Sequence, residues 1–351
     1  MAHIKTTITA IIPAAGKPTN RINTLSNAPD TMLPINGKPV IGHILDDLLS
    51  RKISRAVIVI SAEDIHTQRY VTNTYGSKLK ISFVRNLLYG KGLGYSIHLA
   101  SQEIVHNIDL HSQHVLVYLG DTIYKGPLDF SKDFLVVNPC LSDSKRWCYV
   151  ESTPSGLRYI NKPSAYSGSG QALAGVYYFS DAAKLNHTTT SLVESEPRVE
   201  MHQILKYYNA DFVLQNAESH YDCGNVENYY RARIDFLRTR SFNTIMYNET
   251  LGTITKSGSN QEKLKDEIHW YSSIPHPLYI FSPRLLDYHI DATKVSYTIE
   301  YYGYQSLADY FSLNQFDLSV WENLIHKLFD ILAQFKAKTG SLPRSVFTDM
   351  Y

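Results

Sequence analysis

Asp121 follows an apolar run, Val115-Leu116-Val117-Tyr118-Leu119-Gly120. A carboxylate just past a buried strand emerges at a sheet edge, where it serves either as a turn or capping residue or as a ligand for a hard cation such as Mg²⁺. A second acid, Asp222, stands in Tyr221-Asp222-Cys223-Gly224-Asn225. Mg²⁺ beside nucleotide phosphates takes one or two protein carboxylates and fills its other positions with phosphate and water, so this pair could hold one ion if the fold brings it together. The loop Ala14-Ala15-Gly16-Lys17-Pro18-Thr19-Asn20-Arg21 joins small residues, whose backbone N–H groups can approach phosphate oxygens, to two cations, Lys17 and Arg21. It reads equally as a tight strand-to-helix turn with surface charges. Gly90-Lys91-Gly92-Leu93-Gly94 follows a later strand and lacks the full spacing of a dinucleotide-binding fingerprint, which leaves a glycine-rich turn or a phosphate or base contact.

The elements that must position these groups alternate between two hydrophobic periods. Ile8–Ile12, Ala56–Ile60, Ile81–Val84 and Val115–Leu119 are short apolar runs expected to be strands, and the β-branched run at 56–60 suits a strand covered on both faces. Between them, Val40, Ile41, Ile44, Leu45, Leu48 and Leu49 recur at helical spacing, and Gly94–Val105 can form a helix. Strand and helix in alternation predict a wound, mostly parallel α/β sheet, whose ligands bind in loops at the carboxyl ends of its strands. From Phe134 to Phe179 the pattern is strand-rich; helices are expected at Val199–Tyr208 and at Val226–Leu237, the latter capped by Asn225. The pattern starts afresh near Arg238–Ser241, giving two domains, 1–240 and 241–351. In the second, a hairpin (Phe242–Tyr247 with Gly252–Lys256), a helix (Gln261–Ser272), strands at Leu278–Phe281 and Val295–Tyr301, and a helix at Trp321–Phe335 are expected.

Composition narrows the function classes. The 351 residues are 44% hydrophobic, enough for packed cores, and 34 Lys+Arg against 33 Asp+Glu leave a net charge of +1. That balance gives no global attraction to nucleic acid or anionic membranes, and no stretch approaches the roughly 18 apolar residues of a membrane span. Three cysteines, Cys140, Cys148 and Cys223, form no CxxC pair, so neither a disulfide framework nor a zinc site is supported. A soluble, reduced, cytoplasmic protein is expected, with neither nucleic-acid partner nor membrane insertion; its oligomeric state has no sequence signal.

Six motifs in order carry a resemblance over about 230 residues. Ile11-Ile12-Pro13-Ala14-Ala15-Gly16, Met32-Leu33-Pro34-Ile35 with Gly37-Lys38-Pro39-Val40-Ile41, Leu119-Gly120-Asp121, Asn161-Lys162-Pro163, Ala174-Gly175-Val176-Tyr177-Tyr178-Phe179 and Tyr221-Asp222-Cys223-Gly224-Asn225 resemble the motifs of the sugar-phosphate nucleotidyltransferases (nucleotide-sugar pyrophosphorylases). The resemblance implies a Rossmann-like nucleotidyltransferase fold. It implies transfer of a nucleoside monophosphate from an NTP to a phosphorylated sugar, polyol or choline-like molecule, for capsule or lipopolysaccharide precursor synthesis. By the same resemblance Asp121 and Asp222 would hold Mg²⁺, and Ala14, Ala15 and Gly16 would meet the nucleotide through their backbone. Lys17 and Arg21 would face its phosphates, and Asn86 and Gly90 would contact the base. Lys162 and Arg146 would anchor the incoming phosphate, and Gly175 would let the substrate lie close to its strand.

The chain departs from the family pattern at several points. Pro18 stands where a glycine is usual and has no N–H to offer a phosphate. Asp30 replaces the expected catalytic lysine, leaving Lys17 or Lys91 to supply the charge, and Asn161 replaces a glutamate. These departures keep open a catalytically weak, nucleotide-binding regulatory relative; a metal-dependent glycosyltransferase is the other alternative, though no Asp-x-Asp occupies 119–123. Residues 241–351 resemble the small lobe of choline-kinase or aminoglycoside-phosphotransferase proteins through Gly252-Thr253-Ile254-Thr255-Lys256, a helix with Glu262 and Glu267, and Thr298-Ile299-Glu300-Tyr301-Tyr302. That resemblance implies an α+β lobe in which Lys256 pairs with nucleotide phosphates and with Glu267. No His-Gly-Asp catalytic loop follows, so this part is expected to be truncated and inactive as a kinase.

Overall fold

The computed structural model describes residues 7–16, 29–107, 113–138, 145–224, 226–238, 243–248, 250–304, 306–313 and 317–339. The chain divides into two compact units, Met1–Ala232 and Arg233–Tyr351. Among the described residues no helix is long and apolar enough to cross a membrane.

The first unit begins with β1 (Thr7–Pro13), the small ribbon β2 (Pro34–Ile35) and β3 (Lys38–Pro39), α1 (Val40–Ser50), β4 (Arg55–Ser61), α2 (Ile65–Tyr75), β5 (Lys80–Asn86), α3 (Leu93–Asn107) and β6 (Gln113–Tyr118). Strands β6, β1, β4 and β5 lie side by side and parallel. Their apolar runs are buried because helices cover the sheet: Ile11, Val57, Val59 and Val117 pack with Ile97, Ala100 and Ile104 of α3, while α1 turns Val40, Ile41, Ile44, Leu45 and Leu48 inward. Each such aliphatic side chain contributes about 1.5–3 kcal/mol by leaving water.

The chain then adds β7 (Thr122–Lys125), β8 (Phe134–Asn138), β9 (Cys148–Thr153), β10 (Gly156–Asn161), β11 (Gln171–Phe179), α4 (Ala182–Ser195), α5 (Met201–Tyr208), β12 (Val213–Asn216), β13 (Ser219–Asp222) and α6 (Val226–Arg238). Strand β11 pairs antiparallel with β6, β8 and β9, extending the sheet to nine strands and making its outer part mixed. Helix α6 is fixed by buried Tyr229, whose hydroxyl donates to Pro34 O at 2.8 Å. Helix α2 escapes the hydrophobic pattern because it buries only Thr67, Val71 and Tyr75; its start is set by Asp64, whose carboxylate accepts from Thr67 N–H at 2.9 Å.

The second unit contains β14 (Asn243–Asn248), β15 (Thr253–Gly258), α7 (Gln261–Ser273), β16 (Leu285–Ile290), β17 (Val295–Glu300), α8 (Leu307–Leu313) and α9 (Leu318–Thr339). Its sheet, in the order β14-β15-β17-β16, is antiparallel throughout. Helix α7 packs Leu264 and Ile268 on Val295, Tyr297 and Ile299. The strand expected at Leu278–Phe281 is instead part of a 3₁₀ turn, His276–Phe281, with Pro277 in its first turn, where the missing N–H costs no ladder bond. The neighbouring strand is β16.

Candidate active site

Three backbone contacts carry Asp121 to its place. Beyond β6, Leu119 N–H donates to Gly175 O at 2.9 Å and Gly120 N–H to Pro13 O at 3.1 Å, so the strand end is held by both β11 and β1. Gly120 must be glycine: a Cβ there would lie 2.8 Å from Pro13 O and 3.0 Å from Ala14 Cβ. The ribbon of β7 and β13 places Asp222 opposite Thr122, and Cys223 N–H donates to Asp121 O at 2.7 Å. The two acids, distant in sequence, thus converge. A Cβ on Gly224 would sit 2.7 Å from Asp121 Oδ2 and 3.3 Å from Asp222 Oδ1.

Asp222 is held from three directions. Gly224 N–H donates to its Oδ1 at 3.0 Å, and Arg146 Nη2 and Asn228 Nδ2 each reach its Oδ2 at 3.3 Å. Asp121 accepts from Thr122 Oγ1 at 3.3 Å. Burial, then the charges of Asp222 and Asp30, push the Asp121 carboxyl up to about 7. Burial and the same three acids raise the Cys223 thiol well above its ordinary value. Negative charge is therefore concentrated here beyond what the local donors offset. Among the described residues no group of three or more His, Cys, Asp or Glu is arranged to hold a metal. What fits is an ion needing two carboxylates, with phosphate and water completing its shell, as Mg²⁺ does.

Two cavities meet at Asp121. The larger, about 720 Å³, is walled by Ala14, Ala15, Gly16, Asp30, Asn86, Gly90 and Gly120. The smaller, about 400 Å³, is walled by Arg146, Trp147, Lys162, Gly175, Glu200, His202 and Asp222. Leu93, Leu119, Asp121, Lys162 and Glu200 belong to both. The expected site residues thus fall into two groups on either wall set, joined by Asp121 and Lys162. Lys17, Arg21, Pro18 and Asn225 lie outside the described residues.

Several positions have local reasons the sequence did not show. Asn86, expected at a base, already uses its side chain within the fold: Nδ2 donates to Ser96 Oγ at 2.9 Å and Oδ1 accepts from Leu88 N–H at 2.8 Å. Gly92, at φ +88°, and Gly94 are packing glycines that abut Val199; Gly94 N–H donates to Val199 O, and Val199 N–H to Lys91 O. Lys91 Nζ sits 5.1 Å from the Tyr95 ring centroid and lines neither cavity. Lys162 is held in the left-handed region (φ 45°), its N–H donating to Trp147 O at 2.9 Å. Gly175, at φ +81°, marks a bulge in β11, and the space beside it is taken by Thr122 and Leu119.

Sequence reasoning missed Lys145, Trp147, Arg198, Glu200 and His202, which line the cavities. A signal existed for Glu200: with Gln203 it forms a capping box that starts α5, readable as an acid three residues before a glutamine ahead of an amphipathic turn. In the second unit, Lys256 on β15 and Glu267 on α7 form an ion pair at 2.6 Å, and Tyr297 OH donates to Glu267 Oε2 at 2.8 Å.

No protein-family model matches the chain, and no curated protein matches it in sequence. Solved structures do match its fold. A candidate glucose-1-phosphate thymidylyltransferase from Bacillus anthracis, in complex with sucrose, aligns at TM-score 0.55 and 16% identity over 67% of this chain and 97% of its own. A UDP-glucose pyrophosphorylase complexed with UDP-glucose aligns at 0.54 and 17%, over 67% and 100%. A nucleoside-diphosphate-sugar pyrophosphorylase from Vibrio cholerae RC9 aligns at 0.53 and 14%, over 66% and 100%. At such identities the likeness is one of architecture: two-thirds of this chain has the mixed α/β fold of sugar-phosphate nucleotidyltransferases.

Proposed function

We propose that the first unit is a nucleotidyltransferase that joins a nucleoside monophosphate from an NTP to a phosphorylated sugar, polyol or choline-like small molecule and releases pyrophosphate. The observation that carries this reading is the convergence of Asp121 and Asp222 where a larger and a smaller cavity meet. The larger would take the NTP, its small-residue walls at Ala14, Ala15 and Gly16 letting backbone approach the phosphates. The smaller would take the phosphorylated acceptor, with Lys145, Arg146 and Lys162 opposing its charge.

Asp121 and Asp222 would hold Mg²⁺, which when bound neutralises charge on the transferring phosphoryl group. The chain's own groups orient the reactants. Lys162, on both cavities, holds the acceptor phosphate so that one of its oxygens attacks the α-phosphorus as the bond to the β-phosphate bridging oxygen breaks. Pyrophosphate leaves with that electron pair. Catalysis comes from positioning and electrostatics, with no covalent enzyme intermediate. The cellular role this implies is supply of activated precursors for capsule or lipopolysaccharide assembly. The second unit we read as a phosphotransferase small lobe, on the strength of its antiparallel sheet and the Lys256–Glu267 pair.

The test is a matrix of four NTPs and dTTP against phosphorylated sugars, polyols and phosphocholine with Mg²⁺, scored by pyrophosphate release. Release by no pair would overturn the reading. Asp30 favours a second one, nucleotide binding without turnover, because it adds negative charge beside Asp121 where a lysine was expected. Isothermal titration with each NTP separates the two: binding without release supports the second.

A further inference from the structure

Arg146 is bonded to the carboxylate that a metal would need. Its Nη2 lies 3.3 Å from Asp222 Oδ2, and the pair is largely shielded, with side-chain exposures of 30% and 14%. Asp222 Oδ1 is meanwhile engaged by Gly224 N–H. A cation on the Oδ1 side of Asp222, which faces Asp121, shares the carboxylate with the guanidinium on Oδ2, and the two positive groups repel at this range. Arg146 also lines the smaller cavity beside Lys145 and Lys162, so a dianion entering that cavity meets three cations. A planar guanidinium binds a tetrahedral oxyanion through two parallel hydrogen bonds, more strongly than it holds a carboxylate through the one contact seen here.

We infer that Arg146 is a positioning residue that couples the acceptor phosphate to the metal: an anion in the smaller cavity draws the guanidinium off Asp222 Oδ2 and removes the positive charge that competes with a divalent cation for that carboxylate. This rests on the reading of Asp121 and Asp222 as the metal site. Metal and acceptor then bind cooperatively, and by linkage each tightens the other by the same factor. The metal site stays weak until the acceptor is present, which limits idle chemistry on the NTP.

The test is Mn²⁺ binding to the full chain, read from the free-ion paramagnetic resonance signal, with and without inorganic sulfate as the dianion probe. The native protein should bind Mn²⁺ about tenfold more tightly in sulfate. Arg146→Gln should bind Mn²⁺ about tenfold more tightly than native without sulfate, and sulfate should no longer change it. Arg146→Lys, which keeps the charge without the fork, should retain part of the sulfate effect. A native affinity indifferent to sulfate, or an Arg146→Gln protein that responds as native does, overturns the coupling while leaving the metal site standing. Mn²⁺ that binds none of the proteins, with or without a non-hydrolysable NTP analogue to complete its shell, overturns the metal site itself, and the coupling with it.

Discussion

The two cavities beside Asp121 are built from different parts of the chain. The larger has a wall of backbone and small residues after the parallel strands, Ala14, Ala15, Gly16, Gly90, Gly92 and Gly120, beside charged groups such as Asp30 and Arg198. The smaller is distinguished by side chains that carry charge or rings, Lys145, Arg146 and Trp147 just before β9 and His202 on α5. A backbone wall recognises what every ligand of a class has in common, such as a run of phosphates. A side-chain wall can be retuned one residue at a time. With the donor in the larger cavity and the acceptor in the smaller, as proposed, donor recognition would be fixed by the fold and acceptor choice would depend on a handful of replaceable groups.

The comparison breaks most completely at the shared wall. Asp121→Asn should lower pyrophosphate release by about 10³-fold whatever the substrate pair, because it removes a carboxylate common to both cavities; a loss confined to one substrate's KM would show that the cavities work independently. Lys162→Met should cost about 10²-fold in kcat/KM, with the acceptor KM affected most. Steady-state kinetics with each substrate varied in turn checks this. Gly120→Ala tests the backbone wall. Crowding Pro13 O and Ala14 should lower stability by about 1–3 kcal/mol and weaken NTP binding, measured by denaturant unfolding and titration. On the side-chain wall, His202→Ala should raise the acceptor KM less than tenfold and leave NTP affinity unchanged.

A smaller effect appears in pH dependence, where neighbouring residues pull in opposite directions. Asp121 binds its proton more tightly folded than unfolded, since its carboxyl is pushed up to about 7. The metal-free protein should lose this contribution as pH rises from about 4 to about 7. His220, packed 5.6 Å from the Trp147 ring, is lowered to about 4 by burial; its contribution is full above about 6.5 and declines as pH falls toward 4. Thermal unfolding of metal-free Asp121→Asn across this range should show a higher Tm at pH 8 than native, with the acid-side decline due to His220 retained. Equal Tm values at pH 8 would mean that Asp121 carries no such strain.

Much of the larger cavity was legible in the sequence, and much of the smaller was not. Parallel strands buried on both faces announce themselves as continuous apolar runs, and the loops at their ends, Ala14–Gly16 and Asp121 among them, follow directly. Asp222 came from a motif, but its proximity to Asp121 depends on the ribbon of β7 and β13, whose four-residue strands leave no periodic trace. Glu200 and His202 sit at a helix start whose capping box is local, but the hydrogen bonds that tie the preceding Val199 to Lys91 and Gly94 are long-range and have no local signal. Asp30 is a departure legible in the sequence, and its field at Asp121 gives it weight.

The wall common to both cavities, Leu93, Leu119, Asp121, Lys162 and Glu200, has a stereochemical consequence. On the proposed reading, donor and acceptor occupy adjoining cavities and react while both are bound, so double-reciprocal plots for the two substrates should intersect rather than run parallel. A single displacement between them should also invert configuration at the phosphorus, which a chiral α-thiotriphosphate would report.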